Sequence, residues 1–205
     1  MQLLGGVMAE VSLFPAYELS SIDINRTCCF TGHRSAKLPG EGNRDHAGMK
    51  RLESTIELEL YDLIDRKNVC YFISGMANGI DLICAEAIIR LKQTTRPDIE
   101  LICAVPYVGQ IGEMKTSQER YIYTMIERRS MKTITLATSY HKDCYKERNI
   151  FMVDNSAYML AVYKPSLGAS GTLQTINYAR RCGLDIKLID LDSNPQFYSS
   201  SEDRY

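Results

Sequence analysis

Short apolar runs alternate with longer segments of helical periodicity between residues 26 and 190. The runs hold four to seven residues each, as strands buried on both faces do. Alternation of strands with helices predicts a parallel sheet covered by helices. The predicted fold class is therefore α/β, with three layers, a mostly parallel sheet of about six strands and helices on both faces. The predicted strands span residues 27–30, 69–73, 99–105, 133–137, 158–163 and 186–189.

The segments between the runs predict five helices. Met49, Leu52 and Ile56 recur at three- and four-residue intervals, which is typical of an amphipathic helix. The next segment, 80–91, is apolar almost all round and predicts a centrally packed helix. Gly183 stands where a C-capping glycine is expected, directly before the last strand. Three further helices are predicted at about 113–129, 145–155 and 171–181.

Both ends of the chain lack this alternation of apolar runs and helical segments. We predict an N-terminal extension at 1–24, one domain at 25–191 and a polar C-terminal tail at 192–205. A chain of 205 residues suits one core. The first 25 residues contain no Lys or Arg and carry no signal-peptide or membrane-span pattern, which favours a cytoplasmic protein.

Composition excludes several classes of function. The chain has 24 Lys and Arg against 25 Asp and Glu, so no basic excess drives binding to nucleic acid or membrane. The seven cysteines include no Cys-x-x-Cys pair, and five lie in apolar stretches, which predicts reduced, buried thiols. The three histidines lack metal-ligand spacing, so no metal site is predicted.

Ligands of open parallel sheets bind at the carboxyl ends of the strands, so the loops there carry the candidate chemistry. After the first strand come Gly32, His33 and Arg34: a turn glycine, an imidazole and a guanidinium. This sequence suits a phosphate, although a turn with two solvated polar residues fits it equally. After the third strand, Pro106 and Tyr107 could cover a base or sugar, or Tyr107 could pack in the core.

The loop after the second strand places Gly75 and Gly79 four residues apart, so that bare amides could cradle a phosphate at a helix start. It matches neither GxGxxG nor GxxxxGK[ST], which removes support for kinase or ATPase chemistry. Asp81 could receive a ribose hydroxyl or cap the helix dipole. Glu86, within a very apolar helix, is a candidate polar site residue.

The loop at 168–172 is a second candidate phosphate cradle, where Thr172 adds a hydroxyl to free amides. Arg148 could clamp an anion or be an exposed residue of a charged helix turn.

We assign no catalytic residue, but Glu86 and Asp81 are candidates. The predicted ligand-binding residues are Gly32, His33, Arg34, Ser74, Gly75, Asn78, Gly79, Asp81, Glu86, Pro106, Tyr107, Arg148, Asn149, Ser170, Gly171 and Thr172.

These motifs, in this order, resemble the SLOG superfamily of Rossmann-like nucleotide-binding proteins, and in particular its bacterial YpsA/YoqJ-like branch. The resemblance covers roughly residues 26–190. It implies a Rossmann-like fold, a nucleotide-derived ligand and self-association into a homo-oligomer. The segments around Ser74, Arg148 and Gly171 also look, more distantly, like the DNA-processing protein A family, whose flanking domains would not fit in this length.

The Lonely Guy phosphoribohydrolases are another similar branch, with a Pro-Gly-Gly-x-Gly-Thr loop followed by a catalytic glutamate. This chain departs from that pattern. Its loop lacks the Pro-Gly-Gly start, and Thr175 stands at the glutamate position. A carboxylate that could stabilise an oxocarbenium-like transition state is therefore missing there.

Three functions follow as hypotheses. The first is a cytosolic binding or sensor protein for ADP-ribose, NAD or a nucleoside monophosphate, with no cofactor required. The second is an N-glycosidic-bond hydrolase acting on such a ligand through Glu86 or Asp81. The third is a module for single-stranded DNA or a protein partner, using Tyr121, Tyr123 and the arginines of the same helix. The near-neutral charge disfavours nucleic acid as a partner.

Overall fold

The computed structural model describes Leu19 and residues 22–198. Within them the chain forms six strands and five α-helices that alternate, with short 3-10 turns in the connections. The strands are β1 (Thr27–Gly32), β2 (Tyr71–Ser74), β3 (Glu100–Val105), β4 (Lys132–Thr135), β5 (Tyr158–Tyr163) and β6 (Asp185–Asp190). The helices are α1 (Ala47–Lys67), α2 (Ile80–Thr94), α3 (Ser117–Arg129), α4 (Cys144–Asp154) and α5 (Gly171–Cys182).

All six strands belong to one parallel sheet in the order β4-β3-β2-β1-β5-β6. The strand order reverses between β1 and β5, which pair from Cys28 opposite Tyr158 to Gly32 opposite Val162. The loops that follow these two strands therefore diverge and leave a crevice at the carboxyl edge of the sheet. This arrangement confirms the predicted fold class and places the crevice beside the loops after β1 and β5.

Alternation along the strands divides the core into two layers. Cys28 and Phe30 of β1 pack with α1, α2 and α3 on one face of the sheet. Cys29, between them, packs with α4 and α5 on the other face. Both faces of the sheet are thus covered, which explains why its strands are continuously apolar. The five cysteines predicted to be core thiols are all free and buried.

Several element boundaries differ from the prediction, and two of these differences have a clear local reason. The apolar run at 69–73 begins as the cap of α1, because Asn68 is left-handed (φ 57°) and the Val69 amide bonds back to the Leu63 carbonyl. Helix α3 starts at Ser117 because Thr116 and Glu119 form a reciprocal capping box. The residues before it, Gln110–Glu113, form a separate 3-10 turn.

The chain ends pack partly on the domain. Leu19 is buried, and the remainder of the predicted extension up to Ser21 lies outside the described residues. Phe197 is buried against α1, where its carbonyl would lie 1.6 Å from a Cβ added at Gly48. The predicted tail therefore begins with a packed segment, and residues 199–205 lie outside the description. None of the described helices is both long and apolar enough to cross a bilayer.

Candidate functional site

A pocket of about 210 Å³ opens at the carboxyl edge of the sheet, where β1 and β5 diverge. The loop after β1, the starts of α2 and α5, and the first turns of α4 surround it. This placement brings together residues that lie far apart in the sequence. Its lining residues are Phe30, Thr31, Gly32, His33, Arg34, Lys37, Ala77, Asp81, Tyr145, Arg148, Asn149, Ser170, Gly171 and Thr172.

The start of α5 offers free backbone donors to this pocket. Ser170 caps the helix, because its hydroxyl accepts from the Leu173 amide at 3.2 Å. The Thr172 hydroxyl donates to the Gly32 carbonyl at 3.0 Å and holds the helix start against β1. Among the described residues the amides of Gly171 and Thr172 have no hydrogen-bond partner. Free amides at a helix N-terminus favour an anion.

Arg148 places a buried cation at the same pocket. The residue is 5% exposed, and its Nη1 donates to Asp81 Oδ2 at 2.9 Å. Its Nε is buried without a hydrogen-bond partner within the described part of the chain. Burial lowers the pKa of Arg148, Asp81 raises it and nearby Arg34 lowers it. Arg148 remains charged at neutral pH, so one carboxylate offsets a guanidinium that keeps an unused donor.

A second guanidinium, that of Arg34, and the aromatic ring of Tyr145 also line this pocket. Tyr145 lies near both arginines: its ring centroid is 5.5 Å from Arg34 Cζ and 5.9 Å from Arg148 Cζ. The Tyr145 hydroxyl donates to Glu113, as does that of Tyr107, so the ring is anchored at its far end. Burial and the Glu113 contact raise the pKa of Tyr145. The arginines therefore converge on a fixed aromatic surface.

His33 joins the two loops that flank the pocket. Its Nε2 accepts a hydrogen bond from the Lys164 amide at 3.0 Å, and its ring stacks on Tyr163 at 5.5 Å. An accepting Nε2 leaves the proton on Nδ1, so the imidazole is neutral. Burial lowers the pKa of His33, and Lys37 and Lys164 lower it further. This histidine fixes the loop after β5 to the loop after β1.

The Gly75 loop does not face the pocket as an open cradle. A Cβ at Gly75 would lie 1.3 Å from Arg148 Nη1, so the guanidinium occupies the space that the glycine leaves. The following amides are used internally: Met76 donates to Ser74 Oγ, and Ala77 donates to Asp81 Oδ2 at 3.4 Å. The Ile80 amide donates to the His33 carbonyl. This loop therefore builds the Arg148 site rather than an amide cradle.

The structure thus brings together part of the predicted set. Nine predicted residues line the pocket: Gly32, His33, Arg34, Asp81, Arg148, Asn149, Ser170, Gly171 and Thr172. Arg148 is buried, so its alternative interpretation as an exposed residue of a charged helix turn is wrong. Asp81 meets Arg148 rather than open solvent.

Other predicted residues lie elsewhere. Glu86 pairs with Arg44 and lines a separate cavity with Asn78 and Gly79. Ser74 supports the α2 start through a bond to the Asp81 carbonyl, and Gly75 packs under Arg148. Tyr107 contacts the Tyr145 ring edge-on from outside the pocket, and Pro106 precedes it at the end of β3. None of these residues lines the pocket among those described.

Sequence reasoning missed Tyr145, Lys37, Ala77, Thr31 and Phe30, which also line the pocket. Tyr145 had a usable signal, because it lies three residues before Arg148 and so one helical turn away on the same face of α4. The other residues carried no comparable signal. Nothing in the sequence distinguishes Lys37 from the other lysines, and the methyl side chain of Ala77 carries no functional group.

The surface proposed for single-stranded DNA is not assembled on α3. Tyr123 is 2% exposed, and its hydroxyl donates to buried Gln110, whereas Tyr121 is exposed. The two rings therefore do not form one stacking surface. Across Leu19 and residues 22–198, no three His, Cys, Asp or Glu side chains cluster in a way that could hold a metal ion.

The parallel six-stranded sheet, its two helical layers and the crevice at the reversal of strand order define a three-layer, Rossmann-like α/β protein. The family model described as the YspA SLOG family matches residues 28–194. The chain belongs to this SLOG family.

Relatives of the chain carry the name UPF0398 protein. One from Shouchella clausii is 27% identical over 134 residues, which cover 65% of this chain and 70% of the relative. Others from Halalkalibacterium halodurans and Bacillus cereus are each 25% identical over 134 residues and are covered to 69% and 71% of their lengths. The family match agrees with the resemblance that the loop motifs indicate.

Proposed function

We propose that this protein binds a nucleotide-derived ligand of the ADP-ribose, NAD or nucleoside monophosphate type, with a phosphate group in the pocket between β1 and α5. One observation carries the proposal: buried Arg148, whose Nε has no hydrogen-bond partner in the described chain, lines the same pocket as the free amides of the α5 start. A buried guanidinium with an unused donor favours an anion beside it, because the anion offsets the buried charge. The Gly171 and Thr172 amides favour the same charge.

The charges that line the pocket support a phosphate. Arg34, Lys37 and Arg148 contribute three cations, whereas Asp81 is the one carboxylate among the described lining residues. The two guanidiniums present several N–H donors, and guanidinium groups bind phosphate oxygens in a bidentate manner. A neutral ligand would leave this excess positive charge unbalanced in a partly desolvated space.

The geometry supports binding better than hydrolysis. A hydrolase needs a carboxyl group that is free to donate or accept a proton at the scissile bond. Asp81 already accepts from Arg148 at 2.9 Å, and Glu86 is paired with Arg44 in another cavity. Thr175, at the position of the Lonely Guy glutamate, is buried and accepts a hydrogen bond from Asn149 at 2.8 Å. We therefore favour a binding or sensor role.

Thermal unfolding with a panel of probes tests the proposal. The panel comprises ADP-ribose, NAD and the four ribonucleoside 5′-monophosphates. A probe at 100 times its Kd adds about 2.7 kcal/mol to the free energy of unfolding and raises Tm. Arg34→Ala removes a pocket cation that has no carboxylate partner in the described chain, and it should abolish most of the shift.

The matched control is Arg128→Ala, which removes an exposed arginine from α3, outside the pocket. It should leave the ligand-induced shift intact. Arg148 is unsuitable as the test residue, because its removal strands buried Asp81 without a partner. The proposal is wrong if no probe raises Tm at millimolar concentration. It is also wrong if the probes raise the Tm of Arg34→Ala as much as that of the wild type. Chromatography of the incubated samples for released base tests hydrolysis.

A further inference from the structure

The pocket at β1 and α5 is smaller than a complete small-molecule site. Its volume is about 210 Å³. Sites for such ligands usually span roughly 300–1,000 Å³. A nucleotide whose phosphate lies against Gly171 and Arg148 must therefore extend out of this pocket, and the surrounding cavities decide in which direction.

Two larger cavities lie nearby. A groove of about 540 Å³ runs between α4 and α5 and shares Tyr145, Asn149 and Gly171 with the pocket. A second cavity of about 650 Å³ lies between α2, α3 and the loop after β1, and it shares no lining residue with the pocket. Arg34 contacts Asn78 at 3.5 Å at the boundary between this second cavity and the pocket. The α4–α5 groove is thus the continuous extension.

The charges of the two cavities differ in sign. Lys142, Lys146 and Arg181 line the α4–α5 groove with Asp143 as its single acid, and none of the three cations forms an ion pair with any residue that the structure describes.

The other cavity is acidic. Glu41, Glu86 and Glu119 line it, and Arg44, its one cation among the described residues, is already paired with Glu86. An anionic group is therefore attracted into the α4–α5 groove and repelled from the second cavity.

The groove also presents hydrogen-bonding side chains between its cations. Asn149 donates through Nδ2 to Thr175, which leaves its carbonyl oxygen for a ligand. Gln174 and Asn177 line the α5 side. The Arg181 Cζ lies 5.6 Å from the ring centroid of Tyr178, which limits where this guanidinium can reach. These groups suit a sugar and a phosphate rather than an apolar surface.

We propose that the α4–α5 groove binds a second phosphate group of the same ligand, and that the preferred ligand is a nucleotide with phosphates on both the 3′ and 5′ positions of its ribose, a nucleoside 3′,5′-bisphosphate. Lys142, Lys146 and Arg181 are the residues that determine this preference. The inference rests on the proposed function, because the first phosphate occupies the pocket at Arg148 and Gly171.

Isothermal titration calorimetry with matched probes tests the inference. The probes are the four ribonucleoside 5′-monophosphates and the corresponding 3′,5′-bisphosphates. We expect the best bisphosphate to bind about tenfold more tightly than its monophosphate, a difference of about 1.4 kcal/mol. Lys146→Ala and Arg181→Ala should each weaken bisphosphate binding about fivefold and change monophosphate binding less than about twofold.

Two exposed cations outside both cavities provide matched controls. Lys50→Ala in α1 and Arg128→Ala in α3 make the same charge change, and neither should alter the ratio of the two affinities. If the monophosphate binds and the bisphosphate binds no more tightly, the groove assignment is overturned while the proposed function stands. The same follows if the groove variants behave as the controls do. If neither class of probe binds, the groove assignment fails, whereas the proposed function fails only if ADP-ribose and NAD also leave Tm unchanged.

Discussion

The two glycine loops of this protein have the same outline in sequence and opposite structural roles. Gly75 and Gly171 each lie between a parallel strand and the start of a helix. At Gly75 the space that a side chain would fill holds the Arg148 guanidinium, with Nη1 1.3 Å from the position of a Cβ. At Gly171 an added Cβ would meet no atom of the described residues within 4 Å. One loop accommodates the protein's own cation, and the other is open to solvent.

The backbone donors follow the same division. The amides of Met76, Ala77 and Ile80 all bond within the protein. Those of Gly171 and Thr172 have no partner in the described chain. A glycine at a strand-to-helix turn thus indicates a close approach, but it does not say whether a side chain or a ligand makes that approach.

The two loops nevertheless serve one pocket. The Gly75 loop and Asp81 hold Arg148, and Arg148 lines the same pocket as the start of α5. The first loop contributes a positioned cation, and the second contributes backbone donors. Substitutions in the two loops should therefore separate stability from binding.

Gly75→Ala should produce the largest effect. The new methyl group displaces the Arg148 guanidinium and breaks its buried pair with Asp81. Loss of such a pair and overpacking of the site should lower the free energy of unfolding by about 3 kcal/mol. Urea denaturation followed by circular dichroism measures this change.

The control for this substitution is Gly112→Ala. Gly112 lies in the 3-10 turn before α3, its φ is not positive, and a Cβ there would meet nothing within 4 Å. The chemical change is the same, but no side chain is displaced. Equal stability of the two variants would show that the guanidinium does not depend on the space at Gly75.

The fold could be predicted from the sequence because its elements are locally encoded. The helix over Ala47–Lys67 has a clear apolar periodicity, and the left-handed C-cap at Gly183 (φ 80°) lies where a glycine was expected. The start of α3 is harder to predict from the sequence. Its capping box at Thr116 and Glu119 decides the boundary, whereas the preceding residues have a similar pattern of polarity.

The site was predictable in location and only partly in composition. Position followed from topology, since loops after parallel strands meet at one edge of the sheet. The pairing of Asp81 with Arg148 joins residues 67 apart in the chain, and no local pattern encodes it. Glu86 lies within a very apolar helix, which made it a candidate site residue. Its pairing with Arg44, in the loop after β1, explains why a carboxylate lies there.

Gly171→Ala should separate binding from stability in the other loop. The residue opens α5 without a positive φ and has free space around it, so alanine should change the free energy of unfolding by less than about 1 kcal/mol. The methyl group enters the pocket that Gly171 lines and keeps a phosphate from the helix amides. We expect about tenfold weaker binding of the nucleoside monophosphate that binds the wild type best.

Calorimetric titration of the folded variant provides the measurement, with Gly112→Ala again as the glycine that lies outside the pocket. An unchanged affinity in Gly171→Ala would place the phosphate away from the start of α5. A large loss of stability would instead mean that this loop is packed as the Gly75 loop is, which would remove the contrast between the two.

The smallest effect concerns His33. Its imidazole accepts a hydrogen bond from the Lys164 amide and so fixes the loop that contains Gly171 to the loop after β1. Burial, Lys37 and Lys164 lower its pKa from 6.5, and Asp192 opposes them. The unfolded chain therefore binds a proton more readily, and stability is lost as the pH falls below the ordinary value of 6.5.

His33→Gln keeps a side-chain acceptor for the Lys164 amide and removes the titration. Urea denaturation at about pH 7.5 and 5.5, on either side of the ordinary pKa of histidine, should show a larger loss of stability in the wild type than in this variant. Substitution of exposed His141 by Gln should leave the wild-type loss in place. Equal losses in the wild type and His33→Gln would mean that protonation of His33 does not cause the loss, and that another contact holds the Gly171 loop.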